Sequence, residues 1–238
     1  MSTTKIGWLG LGKMGLPMVK NLINAGYQVT VYNRSKEPLK YFEEHNISIA
    51  DNPKDLLTNN DVVILMVADD AAITTIFEGD EGLLKANVSG KIIINMSTVS
   101  AQISEKMASL LAKNGNEYLD APVSGSLKQA TEATLVIMAG GKTEVFDKVE
   151  SIFKVLGKLA IRVGEIGAGN SAKLAINALL SFHALGLAEA IHFAQQKGIN
   201  KAQLLALINE SALGNPFMKI KGDAILQENY TPVFALKH

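Results

Sequence analysis

The sequence predicts an α/β protein: a doubly wound, mostly parallel sheet followed by an all-helical region. Three observations carry this reading. Short apolar runs alternate with amphipathic helical stretches as far as about residue 164. After Gly169 only helical periodicity remains. The first apolar run ends in a glycine-rich turn that opens a helix.

In chain order, Ile6 to Leu9 is a short apolar run ending at glycine, as a buried parallel strand does. Lys13 to Ala25 has helical spacing and Gly26 stops it. Gln28 to Tyr32 is β-branched and alternating, hence a second strand, and a helix follows from about Lys36 to His45. Asn52-Pro53 reads as an N-cap with proline at the first helical position. Asp61 to Val67 and Ile92 to Asn95 are further buried strands, and a helix begins near Ser100. Asn116 to Asp120, Thr134 to Ala139 and Lys158 to Val163 complete the strands, with a helix from Thr143 to Val155. A long helix then runs from about Asn170 to Gln196, apolar around most of its circumference and so expected to be buried on several sides. Asn200 to Ala212 and Pro216 to Gln227 are two more helices. The change of period sets two domains, residues 1–163 and 164–238.

The 238 residues, 47% hydrophobic and 19% charged, are ordinary for a globular chain and exclude a disordered or collagenous one. Twenty-three basic residues balance 23 acidic ones, so no chain-wide field attracts nucleic acid. Without cysteine there is no disulfide, thiolate metal site or thiol nucleophile. None of His45, His183, His192 and His238 falls in a motif, and no metal site is expected. The apolar stretch Leu174 to Ile191 includes Asn177, Ser181, His183 and Glu189, which are costly in lipid. A core helix, no membrane span and a cytoplasmic protein are expected, the start lacking a signal-peptide order.

Gly10-Leu11-Gly12-Lys13-Met14-Gly15 matches the G-x-G-x-x-G turn of a Rossmann-type dinucleotide site. The first glycine permits the tight turn, the second lets amides approach a pyrophosphate, and the third lets helix and strand pack closely. The second strand ends at Asn33-Arg34-Ser35, where an NAD site usually carries an acidic residue. Losing the carboxylate removes repulsion toward a 2′-phosphate, and Arg34 can pair with one, which favours NADP (NADPH) over NAD.

Two further motifs follow. Asp120-Ala121-Pro122-Val123-Ser124-Gly125-Ser126 sets backbone amides and the Ser124 hydroxyl at a strand end, donors suited to a substrate carboxylate. Gly167-x-Gly169-x-x-x-Lys173-x-x-x-Asn177 opens the long helix and sets Lys173 and Asn177 on one face. A lysine buried there has a lowered pKa and can exchange a proton near neutrality, whereas one at a first turn can also snorkel to solvent.

The three motifs in this order resemble the β-hydroxyacid dehydrogenase family, which includes 3-hydroxyisobutyrate dehydrogenase and tartronate semialdehyde reductase. The likeness covers essentially the whole chain, from Gly10-x-Gly12-x-Met14-Gly15-x-Pro17-Met18 onward. Asn33-Arg34-Ser35, Ser124-Gly125-Ser126, Asn215 to Gly222 and Phe234 to His238 are similar to its glyoxylate/succinic semialdehyde reductase branch. The resemblance implies NADPH-dependent reduction of a small carboxylate-bearing semialdehyde, or the related hydroxy-acid dehydrogenation. It implies Lys173 as proton donor, Asn177 as its positioning partner, and Ser124 and Gly125 as the carboxylate site. Thr98 would lie near nicotinamide and substrate, Val67, Ala68 and Asp69 near the cofactor, and Phe234 along the substrate pocket.

Two departures stand out. Ala133 occupies a turn position where the family often has glycine. The family also continues past Lys237-His238 with a Lys-Asp pair and further helices, so the helical region is expected to be C-terminally incomplete. The apolar long helix suggests a homodimer or higher homo-oligomer. A non-catalytic dinucleotide-binding module on the same fold is the competing class.

Overall fold

The computed structural model describes residues 4–231. The described residues divide into two compact units, 4–173 and 174–231. In the first, the strands are β1 (Lys5–Leu9), β2 (Gln28–Tyr32), β3 (Ser48–Ile49), β4 (Val62–Leu65), β5 (Ile92–Asn95), β6 (Glu117–Asp120), β7 (Val123–Ser124), β8 (Leu135–Gly140) and β9 (Gly157–Gly164). The helices between them are α1 (Gly15–Asn24), α2 (Lys40–Glu44), α3 (Pro53–Asn59), α4 (Asp70–Glu78), α5 (Ala101–Ala112), α6 (Leu127–Thr131) and α7 (Thr143–Leu156).

The strands form one sheet in the order β3-β2-β1-β4-β5-β6-β8-β7, with β9 added along β8. The first six strands pair in parallel, whereas β8 runs antiparallel to β6 and β7. Parallel pairing needs crossover helices, which cover both faces and bury each strand on both sides. All four residues of β4 are buried accordingly. Val62 and Ile64 point into one core with α1 and α7, through Met18, Leu22, Val149 and Phe153. Val63 and Leu65 point into the other with α3, α4 and α5, through Leu56, Phe77 and Met107. The period-2 alternation of a strand thus separates two cores rather than core from solvent.

Helix starts follow local capping chemistry. Asn52 accepts from the Asp55 amide at 2.8 Å, with Pro53 opening α3, and Ser100 accepts from the Ile103 amide at 3.2 Å to open α5. The expected helix from Lys36 begins as a 3-10 turn, Glu37–Leu39, with Pro38 inside it, and becomes α-helical only at Lys40. Not expected from the sequence were α4, a 3-10 turn at Leu83–Lys85, and the short β3, β7 and α6. The last three span two to five residues, too few to show a period.

The long helix α8 (Ala168–Gln196) continues into the second unit, where α9 (Lys201–Glu210) and α10 (Pro216–Leu226) follow. Asn200 and Asn215 cap these two helices. Leu187, Ile191 and Leu205 form the small buried cluster of this unit, with Leu204, Ile208, Met218 and Ile225 against it. Helix α8 is not buried on several sides, contrary to what its apolar circumference predicts. Leu179, Phe182, Leu185 and Phe193 are exposed, because two short helices cover only one stripe of it. By length and composition α8 is the single helix among the described residues that could cross a membrane.

Ala133 adopts a left-handed backbone, φ 56°. That conformation costs a non-glycine residue about 1–2 kcal/mol, while glycine adds about 0.4–1 kcal/mol of unfolded-state entropy. Ala133→Gly should therefore stabilise the protein by about 1 kcal/mol, read as a rise of about 2–4 °C in Tm.

Candidate functional site

The parallel register sets Tyr32, Leu9, Leu65, Asn95 and Asp120 in one row along the carboxyl edge of β2, β1, β4, β5 and β6. The loops carrying Gly10, Asn33, Val67 and Thr98 leave the sheet from this edge, where open α/β sheets bind ligands, and β6 turns there into β7, which carries Ser124.

In the glycine turn, Gly10 has φ 102° and a Cβ there would overlap the Met66 carbonyl. A Cβ on Gly15 would overlap the Gly10 carbonyl, so only glycine lets α1 start so close to β1. A Cβ on Gly12 would meet nothing within 4 Å, so this position faces open space. No side chain caps α1, and its first turn contains no acidic residue. These features fit a dinucleotide: free amides and a positive helix end suit a pyrophosphate over Gly12, with Leu11, Lys13 and Met14 around it. Trp8, fully buried, donates its indole N–H to the Gly10 carbonyl at 2.9 Å and so ties the turn to β1.

Asn33 accepts from the Leu11 amide at 2.9 Å and donates to the Ser35 carbonyl at 2.8 Å. Its side chain therefore joins the glycine turn to the loop after β2. Arg34 is exposed beside it, and its guanidinium makes no ion pair among the described residues.

The Val67 amide donates to the Ser97 hydroxyl at 2.9 Å. Ala68 and Asp69 follow on the surface, and Asp69 caps α4 through the Ala72 amide at 2.8 Å. Asp70 accepts from the Ser100 amide and hydroxyl at 2.9 and 2.5 Å. Thr98 is half-buried between two anchored neighbours. The Ser97 amide donates to Asn95, and the Val99 amide donates to the Asn170 side chain at 3.1 Å.

Asp120 is fully buried at the end of β6. Its two carboxylate oxygens accept from the backbone amides of Gly167 and Asn170, each at 2.8 Å. Burial raises its pKa above the usual carboxylate range, against the pull of these donors toward the charged form. Asn170 also donates to the Ser104 hydroxyl at 3.1 Å, Tyr118 donates to the same hydroxyl, and Asn95 donates to the Tyr118 phenol at 3.0 Å. Burial pushes that phenol upward as well. A Cβ on Gly169 would overlap the carbonyls of Asp120 and Met138, which explains the second glycine of its motif.

Lys173 follows in the first turns of α8, half-buried, and burial holds its ammonium below the ordinary lysine pKa. Asn177 lies one turn further along the same helix and belongs to the second unit. Ser124 is half-buried in β7, paired with Val136 of β8, and Gly125 is exposed beside it. Phe234 lies outside the described residues. Sequence reasoning passed over Asp120, Asn170, Ser104 and Asn95 as side chains with a task. Asp120 and Asn170 lay inside recognised motifs, but the partners that define their roles lie far away in sequence.

The chain is similar to known proteins along its length. Residues 5–167 match the family described as the NAD binding domain of 6-phosphogluconate dehydrogenase. Residues 167–238 match the NAD-binding region of NADP-dependent 3-hydroxyisobutyrate dehydrogenase. The chain is 33% identical over 234 residues to glyoxylate/succinic semialdehyde reductase 1 of Arabidopsis thaliana, covering 98% of this chain and 81% of that protein. It is 32% identical to the cytokine-like nuclear factor N-PAC of Homo sapiens, covering 98% of this chain and 42% of that one. A solved 3-hydroxyisobutyrate dehydrogenase from Mycobacterium tuberculosis, with L-serine, superposes with TM-score 0.83 at 28% identity, over 91% of this chain and 73% of that one. A glycine turn for a dinucleotide, a half-buried lysine opening the long helix and matches along the whole chain agree: this protein belongs to the β-hydroxyacid dehydrogenase family, as an NAD(P)-dependent oxidoreductase of the 3-hydroxyisobutyrate dehydrogenase-like kind.

Proposed function

We propose that this protein is an NADPH-dependent reductase of small carboxylate-bearing semialdehydes, of the glyoxylate/succinic semialdehyde type. The observation that carries this is Lys173, a half-buried lysine whose burial eases loss of its proton. It stands on the same α8 turns that Asp120 ties to the sheet edge.

A bound reduced nicotinamide supplies the hydride, and the protein supplies orientation and charge. In this reading Ser124 and the amides around Gly125 hold the substrate carboxylate. Thr98 borders the reacting carbonyl, and the Lys173 ammonium gives its proton to the carbonyl oxygen as negative charge develops there. Asn177 orients Lys173. Arg34, exposed and without an ion pair among the described residues, pairs with a 2′-phosphate, where an acidic residue would repel it. Exposed Leu179, Phe182 and Leu185 support self-association through α8, which light scattering would read as a mass above one chain.

A second reading has the same fold bind a dinucleotide without turnover, and the match to a protein named as a nuclear factor is its support. Following NADPH absorbance with glyoxylate, succinic semialdehyde, methylmalonate semialdehyde and tartronate semialdehyde separates the two. Oxidation with none of them favours the binding module.

Lys173→Ala should lower turnover by about 10²–10⁴-fold. Trp8 is the only tryptophan and touches the glycine turn, so its fluorescence reports whether NADPH still binds. Near-normal turnover with binding intact would overturn the proton-donor role. Arg34→Ala should weaken NADPH far more than NADH, and equal losses would overturn the 2′-phosphate contact. Reduction requires protonated Lys173, so its rate should fall as pH rises through the lysine pKa. Because burial lowers that pKa, the fall begins below the ordinary lysine value of about 10.4. Oxidation of the hydroxy acid should show the opposite limb.

A further inference from the structure

The start of α8 is capped from a distance, unlike the starts of α3, α5, α9 and α10, while α1 and α7 carry no side-chain cap. Asn52, Ser100, Asn200 and Asn215 each cap a helix from two or three residues away. The cap of α8 comes instead from Asp120, 47 and 50 residues earlier in the chain. Burying a carboxylate is costly, and a local serine or asparagine would satisfy the same amides. A distant cap adds registration between two segments.

Asp120 ends β6 and leads directly into Pro122–Gly125. Asn170 is one turn before Lys173, and its side-chain oxygen takes the Val99 amide, next to Thr98. Asn170 also reaches Asp120 and Ser104 through its amide nitrogen, at 3.4 and 3.1 Å. Two fully buried side chains thus tie together the segments that carry Thr98, Ser124 and Lys173.

We propose that the Asp120–Asn170 pair is the positioning device for Lys173, holding the first turn of α8 in register with the Thr98 and Ser124 loops. This rests on Lys173 being the proton donor. Asp120 and Asn170 are positioning residues and touch no reacting atom.

Asp120→Asn keeps the volume but leaves one of the two α8 amides facing an NH₂ group. With glyoxylate and NADPH, kcat should fall by about 10–100-fold while NADPH affinity, read by Trp8 fluorescence, stays within about twofold. On a Lys173→Ala background the same change should cost less than about twofold more, since residues acting as a unit are not additive. A second readout needs no turnover: competitive acetylation of Lys173 against pH, followed by peptide mass spectrometry. Its midpoint should rise toward that of an ordinary lysine in Asp120→Asn, as the loosened turn exposes the ammonium. A carboxylate acting through charge alone would give the opposite sign, because its removal lowers a neighbouring lysine pKa.

An unchanged or lowered midpoint in a folded variant overturns the proposal. So does a kcat loss that persists in full without Lys173. If Lys173→Ala itself keeps turnover, the proton-donor reading falls, and the labelling midpoint still reports whether Asp120 holds the lysine. Should Asp120→Asn fail to fold, Ser104→Ala and Asn170→Ala carry the same measurement. A rise of the same sign in either supports the proposal, and no shift in both overturns it.

Discussion

A carboxylate sealed between a strand end and a helix start is the interaction on which the first unit's site depends. Asp120 has no solvent to lean on, so its charge has to be satisfied by the amides of Gly167 and Asn170. Those amides are available only if α8 begins where it does. They can approach only because Gly169 carries no side chain against the Asp120 and Met138 carbonyls. Strand, glycine and helix start are therefore one constraint. The wider polar network through Ser104, Tyr118, Asn95 and Ser97 extends it across β6, β5 and β4. Buried polar networks of this kind stabilise only when every member is paired, and no buried side-chain polar atom among the described residues lacks a partner.

The opposite end of the row works on different chemistry. A side chain on Gly10 or Gly15 would overlap the Met66 or Gly10 carbonyl, while Gly12 faces open space, so close backbone packing shapes this turn. Asn33 closes this part by holding the Leu11 amide, which joins the turn to the loop that bears Arg34. The sheet thus offers a glycine turn and a cation at β1 and β2, and a buried polar network at β5 and β6. That division suits a charged cofactor at one side and a proton transfer at the other, where burial shifts a lysine downward.

The second unit shows what an apolar circumference means and what it does not. Helix α8 extends over 29 residues with apolar groups on nearly every side, yet α9 and α10 cover only the stripe through Leu187 and Ile191. Apolar composition states that burial is favourable. It does not state which neighbour supplies it.

Much of the fold was legible in the residues themselves. β2 and β5 fell where β-branched runs stood, and the caps at Asn52, Ser100, Asn200 and Asn215 sat where their side chains permit. These are local effects, set by side-chain volume, branching and hydrogen bonding within a few positions. The glycine turn was legible for the same reason. The short β3, β7 and α6 were not, because two to five residues carry no period. Nor was the role of Asp120, which as a sequence letter was one residue of a loop. Its partners lie 47 and 50 residues away, and only the pairing of β6 with β5 and β8 brings the Gly167–Asn170 turn onto it. The sequence by itself determined most of the longer elements, the dinucleotide turn and the candidate lysine, since each depends on near neighbours. The tertiary structure decided what caps the start of α8, because a buried carboxylate is satisfied by groups that lie far from it in sequence.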